Sequence, residues 1–277
     1  MYQTVRNRSL LPWFLFSAAL AAALCLLLSY RGWAFAGMFA LFGLAAFVAL
    51  WLLFALFLAL LAAFIDPSEP QREDAPFFHR LVGYGMGLLL ALGRVRVHVR
   101  GLETLPQQRF LLVCNHRSGY DPIALGWLLR RDKVAFVSKP ENLRIPVVGR
   151  ILHRDRVMAI DRENDRAALK TILFAAELIR RGASSVGIFP EGTRGGGDEL
   201  LPFRNGAFKI AQRAKCPVLV AVVRGSEQIR RRAPWRRTEL WLDFVSVLPA
   251  EQVAQLKTNE IGDKVRTCMT SVLSADC

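Results

Sequence analysis

A histidine and an aspartate lie close together in a segment that links a predicted strand to a predicted helix. The segment is Asn115–Asp121 (NHRSGYD), between the apolar run Phe110–Cys114 and the helical stretch Pro122–Arg131. In such a turn the carboxylate can fix the tautomer of the imidazole while the other ring nitrogen removes a proton from a hydroxyl group. Alternatively, His116 is a hydrogen-bonded turn residue, and Asp121, which precedes a proline, caps the helix.

A second segment whose residues could take part in chemistry is Ile188–Arg194 (IFPEGTR), which is followed by three glycines. Small residues let backbone N–H groups approach a phosphate, and Arg194 adds a guanidinium fork that matches phosphate oxygens. The segment lacks the Gly-Lys-Ser/Thr of a Walker A loop. Alternatively, it is a surface turn.

Two further cations follow predicted strands. Lys139 comes after Val134–Val137, and Arg162 ends the segment Ile160-Asp161-Arg162. Either side chain can bind an anionic group at the same edge of a sheet, or be a solvated loop charge.

Short apolar runs that alternate with helical stretches would position these residues. The predicted strands are Arg94–Arg100, Phe110–Cys114, Val134–Val137, Val157–Ile160, Val186–Phe189, Val218–Val223 and Leu240–Val247. The predicted helices are Pro122–Arg131, Asp165–Arg181, Phe203–Ala214 and Ala250–Ser274. This alternation favours an α/β fold, a layered domain with a largely buried sheet.

The charges of the chain are distributed unevenly. The sequence has 37 Lys+Arg against 23 Asp+Glu, a net charge of +14, yet 53% of its residues are hydrophobic. Between Leu10 and Ile65 the one charged residue is Arg31. This composition excludes a disordered chain, and the five scattered cysteines and four separated histidines support neither a disulfide framework nor a metal site.

The uncharged runs Leu10–Tyr30 and Trp33–Ile65 predict an N-terminal helical hairpin that anchors the chain in a membrane. The hairpin either crosses twice or re-enters one leaflet, so we expect an integral or monotopic membrane protein. Arg6 and Arg8 favour a cytoplasmic N-terminus, which leaves the catalytic domain on the cytoplasmic side. The competing interpretation is a cleaved signal peptide.

The polar, proline-bearing segment after Ile65 marks a boundary. We therefore predict three parts: a membrane anchor of two apolar helices (1–66), a linker with a membrane-surface helix at Phe77–Leu92 (67–93), and a globular domain (94–277). Within that domain, Arg204–Arg237 contains ten basic residues and one acid. Next to an anchor, this excess favours anionic phospholipid headgroups over nucleic acid, although a solvated basic loop has the same composition.

The segments Asn115–Asp121 and Ile188–Arg194 together resemble the motifs of a known family. Asn115–Asp121 resembles the His-x4-Asp box of the glycerolipid acyltransferases, and Phe189–Arg194 resembles their Glu-Gly-Thr-Arg box. Lys139, Arg162 and the proline-led strand Cys216–Val223 fall at the other motif positions in the same order. The resemblance is nearest to the 1-acylglycerol-3-phosphate acyltransferases (PlsC type) among the lysophospholipid acyltransferases, and it implies a glycerolipid-acyltransferase-like domain.

The resemblance also implies a reaction and residue roles. A fatty acyl group would pass from acyl-CoA or acyl carrier protein to the 2-hydroxyl of lysophosphatidate, giving phosphatidate, without a bound cofactor or covalent acyl-enzyme. It assigns His116 as general base and Asp121 as the residue that orients it. The residues that it assigns to substrate binding are Glu191, Gly192, Thr193 and Arg194, with Lys139 and Arg162 as helpers.

Other functions stay open at this point. Within the family, Arg117, Gly119-Tyr120 and the glycines at 195–197 depart from the usual boxes, so another lysophospholipid or a lyso-aminolipid is an alternative acceptor. A membrane-bound lipid hydrolase would use Ser118 or Cys114 as nucleophile, although no Gly-x-Ser-x-Gly elbow is present. A noncatalytic membrane adaptor would use the basic segment alone.

Overall fold

The structure is a computed structural model that describes residues 1–69, 71, 75–161, 164–195 and 199–275. It divides into two compact units. One comprises Arg8–Ser68, and the other comprises Met1–Asn7 together with Glu69–Cys277. The first seven residues therefore belong to the larger unit, whereas the domain limits at 66 and 93 stay a prediction.

The smaller unit is a pair of helices, α1 (Leu11–Leu27) and α2 (Gly32–Ala63). Aromatic rings hold them together: Trp13 stacks on Trp51 at 4.5 Å between ring centroids, and Phe14 stacks on Phe47 at 5.1 Å. With 32 residues, α2 is about 48 Å long. Among the described residues it is the one helix long and apolar enough to cross a membrane, with a mean hydropathy of 2.8. The predicted hairpin is thus present, and its outer surface is apolar.

The larger unit is built on a sheet that has eight strands in the described part of the chain. The strands are β1 Gln3–Val5, β2 Val95–Arg100, β3 Leu111–Cys114, β4 Val134–Ser138, β5 Met158–Ala159, β6 Ser185–Ile188, β7 Val218–Arg224 and β8 Thr238–Leu248. Their order across the sheet is β1-β2-β8-β7-β3-β6-β4-β5.

Five neighbouring strands of this sheet run in the same direction. β7, β3, β6, β4 and β5 form successive parallel pairs, whereas β8 is antiparallel to β7. The segments that follow these five strands therefore leave the sheet at one edge, which we call the carboxyl edge.

Helices cover both faces of the sheet. They are α3 Pro76–Leu92, α4 Tyr120–Leu128, α5 Pro140–Leu143, α6 Val148–Arg154, α7 Asp165–Arg180, α8 Lys209–Ala214, α9 Ile229–Arg232, α10 Ala250–Gln255 and α11 Thr258–Ala275. On one face, Leu111 and Val113 of β3 pack in the same core as residues of α7, α8 and α11. On the other, Leu112 and Cys114 pack with residues of α3, α4 and α9. This three-layer arrangement confirms the α/β prediction with a buried sheet.

Some predicted elements differ from the observed ones. The single helix predicted over Ala250–Ser274 is two helices, because the backbone at Leu256 is extended (φ −94°, ψ 149°) between α10 and α11. The predicted helix Phe203–Ala214 begins as a 3-10 turn, Asn205–Phe208. The sequence reasoning also did not predict β1, which pairs antiparallel with β2 at the outer end of the sheet.

Candidate active site

Asn115 fixes the end of β3, directly before the histidine. Its side-chain oxygen accepts a hydrogen bond from the Val223 N–H at 2.7 Å, and its amide nitrogen donates to the Val223 carbonyl at 3.0 Å. Asn115 is buried, so these bonds satisfy polar groups that would otherwise be costly to bury. The turn that carries His116 therefore begins with a residue that is hydrogen-bonded to β7.

His116 and Asp121 form a hydrogen-bonded pair. Nδ1 of His116 lies 2.8 Å from Oδ2 of Asp121, and the same oxygen accepts the N–H groups of Arg117 and Ser118 at 2.7 Å each. Asp121 is fully buried, whereas the His116 side chain is 16% exposed. Because a carboxylate only accepts hydrogen bonds, Nδ1 is the donor and Nε2 of the neutral ring carries the lone pair. This arrangement suits a general base that acts through Nε2.

An aromatic stack supports the imidazole ring. The ring of Phe189 lies 4.3 Å from that of His116, nearly parallel to it, and Phe136 stacks on Phe189 in turn at 6.1 Å. Phe136 lies directly over Gly187, where an added Cβ would come within 2.5 Å of the ring. The face of Phe189 both restricts the rotation of the imidazole and favours the imidazolium that a general base becomes.

Glu191 joins the two predicted boxes. Its Oε1 accepts the His116 N–H at 2.7 Å and its Oε2 accepts the Leu201 N–H at 2.9 Å, while the Gly195 N–H donates to the His116 carbonyl at 2.8 Å. The carboxylate is buried, 6% exposed. Its contacts in this structure are thus with the backbone of both loops, and they hold the segment after β6 against the histidine.

Arg194 lies next to the histidine box. A Cβ atom built on Gly119 would be 3.1 Å from Nη2 of Arg194, so the guanidinium group is beside the turn that bears His116 and Asp121. Arg194 and Thr193 are exposed. Gly192, by contrast, is buried with φ +73°, a backbone conformation that favours glycine. The loop therefore presents an arginine to solvent beside the turn that bears His116.

Of the two other predicted cations, the structure describes Lys139. Lys139 is exposed at the end of β4, which is separated from β3 by β6, so its backbone is about 10 Å from that of β3 along the sheet. Arg162 lies outside the described residues. Asp161, directly before it, follows β5 at the same carboxyl edge.

Two other histidines also contact carboxylates, but both of their ring nitrogens are engaged. His79 contacts Asp155 at 3.0 Å and the Arg130 carbonyl at 2.7 Å. Although burial favours its neutral form, the Asp155 carboxylate raises the pKa of His79 above its ordinary value. His98 contacts Thr4 at 3.0 Å and Glu239 at 2.6 Å. Neither ring has a nitrogen free for proton transfer, and the described residues contain no cluster of metal-ligating side chains.

Of the two nucleophiles considered for a hydrolase, Cys114 and Ser118, the thiol is in an unfavourable environment. Burial raises the pKa of the Cys114 thiol well above its usual range, and the carboxylates of Asp121 and Glu191 raise it further. A thiol that stays protonated is a weak nucleophile. The Ser118 hydroxyl accepts the Tyr120 N–H at 3.2 Å, at the start of α4.

Sequence reasoning did not single out three side chains of this site. Asn115 and Phe189 lie inside the two boxes, but nothing in their spacing indicated a bond to β7 or a ring stack. Ser226, whose Oγ donates to Oδ1 of Asp121, is separated from that residue by 105 positions in the chain. The sequence feature that could have pointed to Ser226 is its position directly after Gly225, which follows the predicted strand Val218–Val223.

Comparisons with known proteins found a matching family model and similar proteins. Residues 96–224, which include both boxes, match the family model described as "Acyltransferase". The chain is 28% identical over 193 residues to the 1-acyl-sn-glycerol-3-phosphate acyltransferase of Saccharomyces cerevisiae, covering 68% of this chain and 62% of that protein. It is 31% identical over 182 residues to 1-acyl-sn-glycerol-3-phosphate acyltransferase alpha of Bos taurus, covering 64% and 63%.

The chain thus spans less than two thirds of the length of these relatives. Among solved structures, the 1-acyl-sn-glycerophosphate (LPA) acyltransferase PlsC of Thermotoga maritima has the same fold, with a TM-score of 0.57 at 18% identity. The match covers 80% of this chain and 88% of that one. It confirms the predicted fold class.

Proposed function

We propose that this chain transfers a fatty acyl group from a thioester to the 2-hydroxyl of lysophosphatidate, giving phosphatidate, because its residues 96–224 match the acyltransferase family model. The observation that carries the proposal is the His116–Asp121 pair, in which Nε2 of His116 is available to accept a proton. Arg194 lies beside the same turn. The names of the relatives support lysophosphatidate as the acceptor. We propose acyl-CoA or acyl carrier protein as the thioester donor.

The reaction needs one proton acceptor. Nε2 of His116 takes the proton of the acceptor hydroxyl as its oxygen attacks the thioester carbonyl. Asp121 stabilises the resulting imidazolium through Nδ1, and the face of Phe189 stabilises it from one side. The tetrahedral intermediate then expels the thiolate, which recovers the proton from Nε2. The products are the acylated lipid and a free thiol, and no acyl-enzyme forms.

We assign the acceptor phosphate to Arg194. A guanidinium group binds phosphate oxygens through two parallel hydrogen bonds, and Arg194 is the exposed cation beside the His116 turn. Lys139 and Arg162 stay proposed as helpers, and Gly192 and Thr193 as parts of the loop that presents Arg194.

Replacement of Arg194 by alanine is expected to raise the KM for lysophosphatidate about 10-fold to 100-fold, because a hydrogen bond to a charged group is lost. The KM for the acyl donor should change little. Steady-state kinetics with each substrate varied in turn measures both values. The matched control is Arg131→Ala, which removes an exposed arginine before β4, at the opposite edge of the sheet. Unchanged acceptor KM and kcat in Arg194→Ala would contradict the assignment.

We further propose that the domain works at an anionic bilayer on the cytoplasmic side of the membrane. Its contact would be the basic loop, residues 230–237, whose five arginines and Trp235 are all exposed. Trp235 is 83% exposed, and its carbonyl accepts a hydrogen bond from Arg94, directly before β2. Arginines around an exposed tryptophan suit the interface between lipid headgroups and acyl chains.

The double substitution Arg236→Gln/Arg237→Gln is expected to weaken activation by anionic phospholipid roughly 30-fold, because each of the two surface cations adds about 1 kcal/mol of attraction. The measurement is the initial rate in mixed micelles with an increasing fraction of phosphatidylglycerol at constant substrate. As the control, Arg180→Gln/Arg181→Gln removes two adjacent exposed arginines at the C-terminal end of α7. If both variants respond to the anionic lipid as the unmodified chain does, the basic loop has no such role.

An acceptor panel tests the proposed reaction. The purified full chain is supplied with acyl-CoA or acyl carrier protein and with lysophosphatidate, other lysophospholipids or a lyso-aminolipid, and products are identified by mass spectrometry. We expect phosphatidate as the main product with at least one donor. Preferential acylation of a different lysolipid would replace the acceptor, and release of free fatty acid alone would indicate a hydrolase. The absence of turnover with every combination of donor and acceptor would favour a noncatalytic membrane adaptor.

A further inference from the structure

The second oxygen of the Asp121 carboxylate has its own donor. Oγ of Ser226 donates a hydrogen bond to Oδ1 of Asp121, and both residues are fully buried. Oδ2 meanwhile accepts from His116 and from the N–H groups of Arg117 and Ser118. The carboxylate is therefore held from both sides, with the imidazole on one oxygen and the serine on the other.

The backbone around Ser226 is held firmly in place. Gly225 has φ +82°, and a Cβ atom there would be 2.5 Å from the carbonyl oxygen of Glu239, so the chain turns off β7 in close contact with β8. Arg224, the last residue of β7, bonds through Nη2 to Oδ2 of Asp243 at 2.9 Å. Asp243 is buried and also accepts the Tyr2 hydroxyl at 2.9 Å. These contacts fix where the Ser226 hydroxyl is presented.

We propose that Ser226 is a positioning residue for acyl transfer, which acts on His116 through Asp121. This inference rests on the proposed function. Ser226 is buried behind the carboxylate, so its effect on the reaction passes through the orientation of Asp121. Without the hydroxyl, Oδ1 is a buried acceptor that has lost its donor, and the carboxylate can rotate about its Cβ–Cγ bond. The hydrogen bond between Oδ2 of Asp121 and Nδ1 of His116 then loses its alignment. As a result, Nε2 is no longer oriented toward the acceptor hydroxyl.

The test compares four variants of the full chain. Ser226→Ala removes the donor, Ser226→Cys keeps nearly the same volume with a weak donor, and Ser226→Thr keeps the hydroxyl. The control is Ser185→Ala, a serine in β6 that is equally buried and whose hydroxyl lies near the Phe110 N–H. For each protein kcat, both KM values and the melting temperature are measured.

We expect kcat to fall about 10-fold or more in Ser226→Ala and Ser226→Cys, at KM values close to those of the unmodified chain. Ser226→Thr should keep most of kcat, and Ser185→Ala should keep kcat even if its melting temperature falls. A purely structural role would lower the melting temperature and leave kcat per folded molecule intact. The inference is overturned if Ser226→Ala and Ser226→Cys keep kcat, or if Ser185→Ala loses as much of it. Should Ser226→Ala fail to fold, the comparison of Ser226→Cys with Ser226→Thr decides.

The same series separates this inference from the proposed function. If the unmodified chain makes no acylated lipid, the proposed function fails. If the unmodified chain is active, His116→Ala is inactive and Ser226→Ala keeps its kcat, only the role of Ser226 is wrong.

Discussion

Replacement of His116 by alanine is expected to lower kcat for acyl transfer about 1000-fold or more, while the chain stays folded and bound to the membrane. The variant lacks the nitrogen that accepts the proton of the acceptor hydroxyl, and general-base catalysis contributes up to about 10,000-fold in enzymes. The side chain is partly exposed and stacks on one face of Phe189, so its loss leaves the sheet and both core layers intact. Product formation measured by mass spectrometry gives kcat, and thermal unfolding reports on the fold.

The control for this variant is His153→Ala, which removes a histidine whose Nε2 lies 3.0 Å from the Glu69 carbonyl, away from the two boxes. It should keep kcat. Near-normal turnover in His116→Ala would rule out His116 as the base.

Replacement of Asp121 by asparagine is expected to lower kcat about 1000-fold to 10,000-fold without a large change in KM. The amide keeps the shape of the carboxylate but carries no charge, so it no longer stabilises the imidazolium. If its NH2 group faces Nδ1, the ring must carry its proton on Nε2, which then cannot act as a base. Steady-state kinetics of the purified variant measures the loss.

Asp155→Asn is a matched control for Asp121→Asn. Asp155 is also a buried aspartate paired with a histidine, His79, but it follows α6 and precedes β5, at the edge of the sheet opposite the two boxes. The control should lose stability, because the pair is buried, and keep kcat per folded molecule. Equal losses of kcat in the two variants would show that Asp121 has only a structural role.

The sequence was sufficient to predict the layered fold and the two boxes. Buried parallel strands are continuous apolar runs, so β3, β4, β6 and β7 were each located to within a residue or two of their observed ends. The position of a polar box directly after a strand then predicts its place at the carboxyl edge of the sheet. His116, Glu191 and Arg194 all lie at that edge.

What the sequence could not predict depends on contacts between distant segments. Nothing near Glu191 indicates that its carboxylate binds the backbone of His116, 75 positions away. Ser226 contacts Asp121 because β7 lies beside β3, and that order of strands cannot be read from the apolar runs alone. Similarly, β1 has just three residues, and it forms a strand because β2 offers a sheet edge for it to pair with.

The most direct test of the account follows one labelled acyl group. The full chain is mixed with an acyl thioester, first alone and then with lysophosphatidate, and the lipid products, the released thiol and the intact protein mass are followed together. The account predicts an unmodified protein throughout and phosphatidate formed in equal amount with the thiol once lysophosphatidate is present, with His116→Ala forming almost none. Acylation of the protein by the thioester alone, or equal phosphatidate formation by His116→Ala, would contradict direct transfer with His116 as the base.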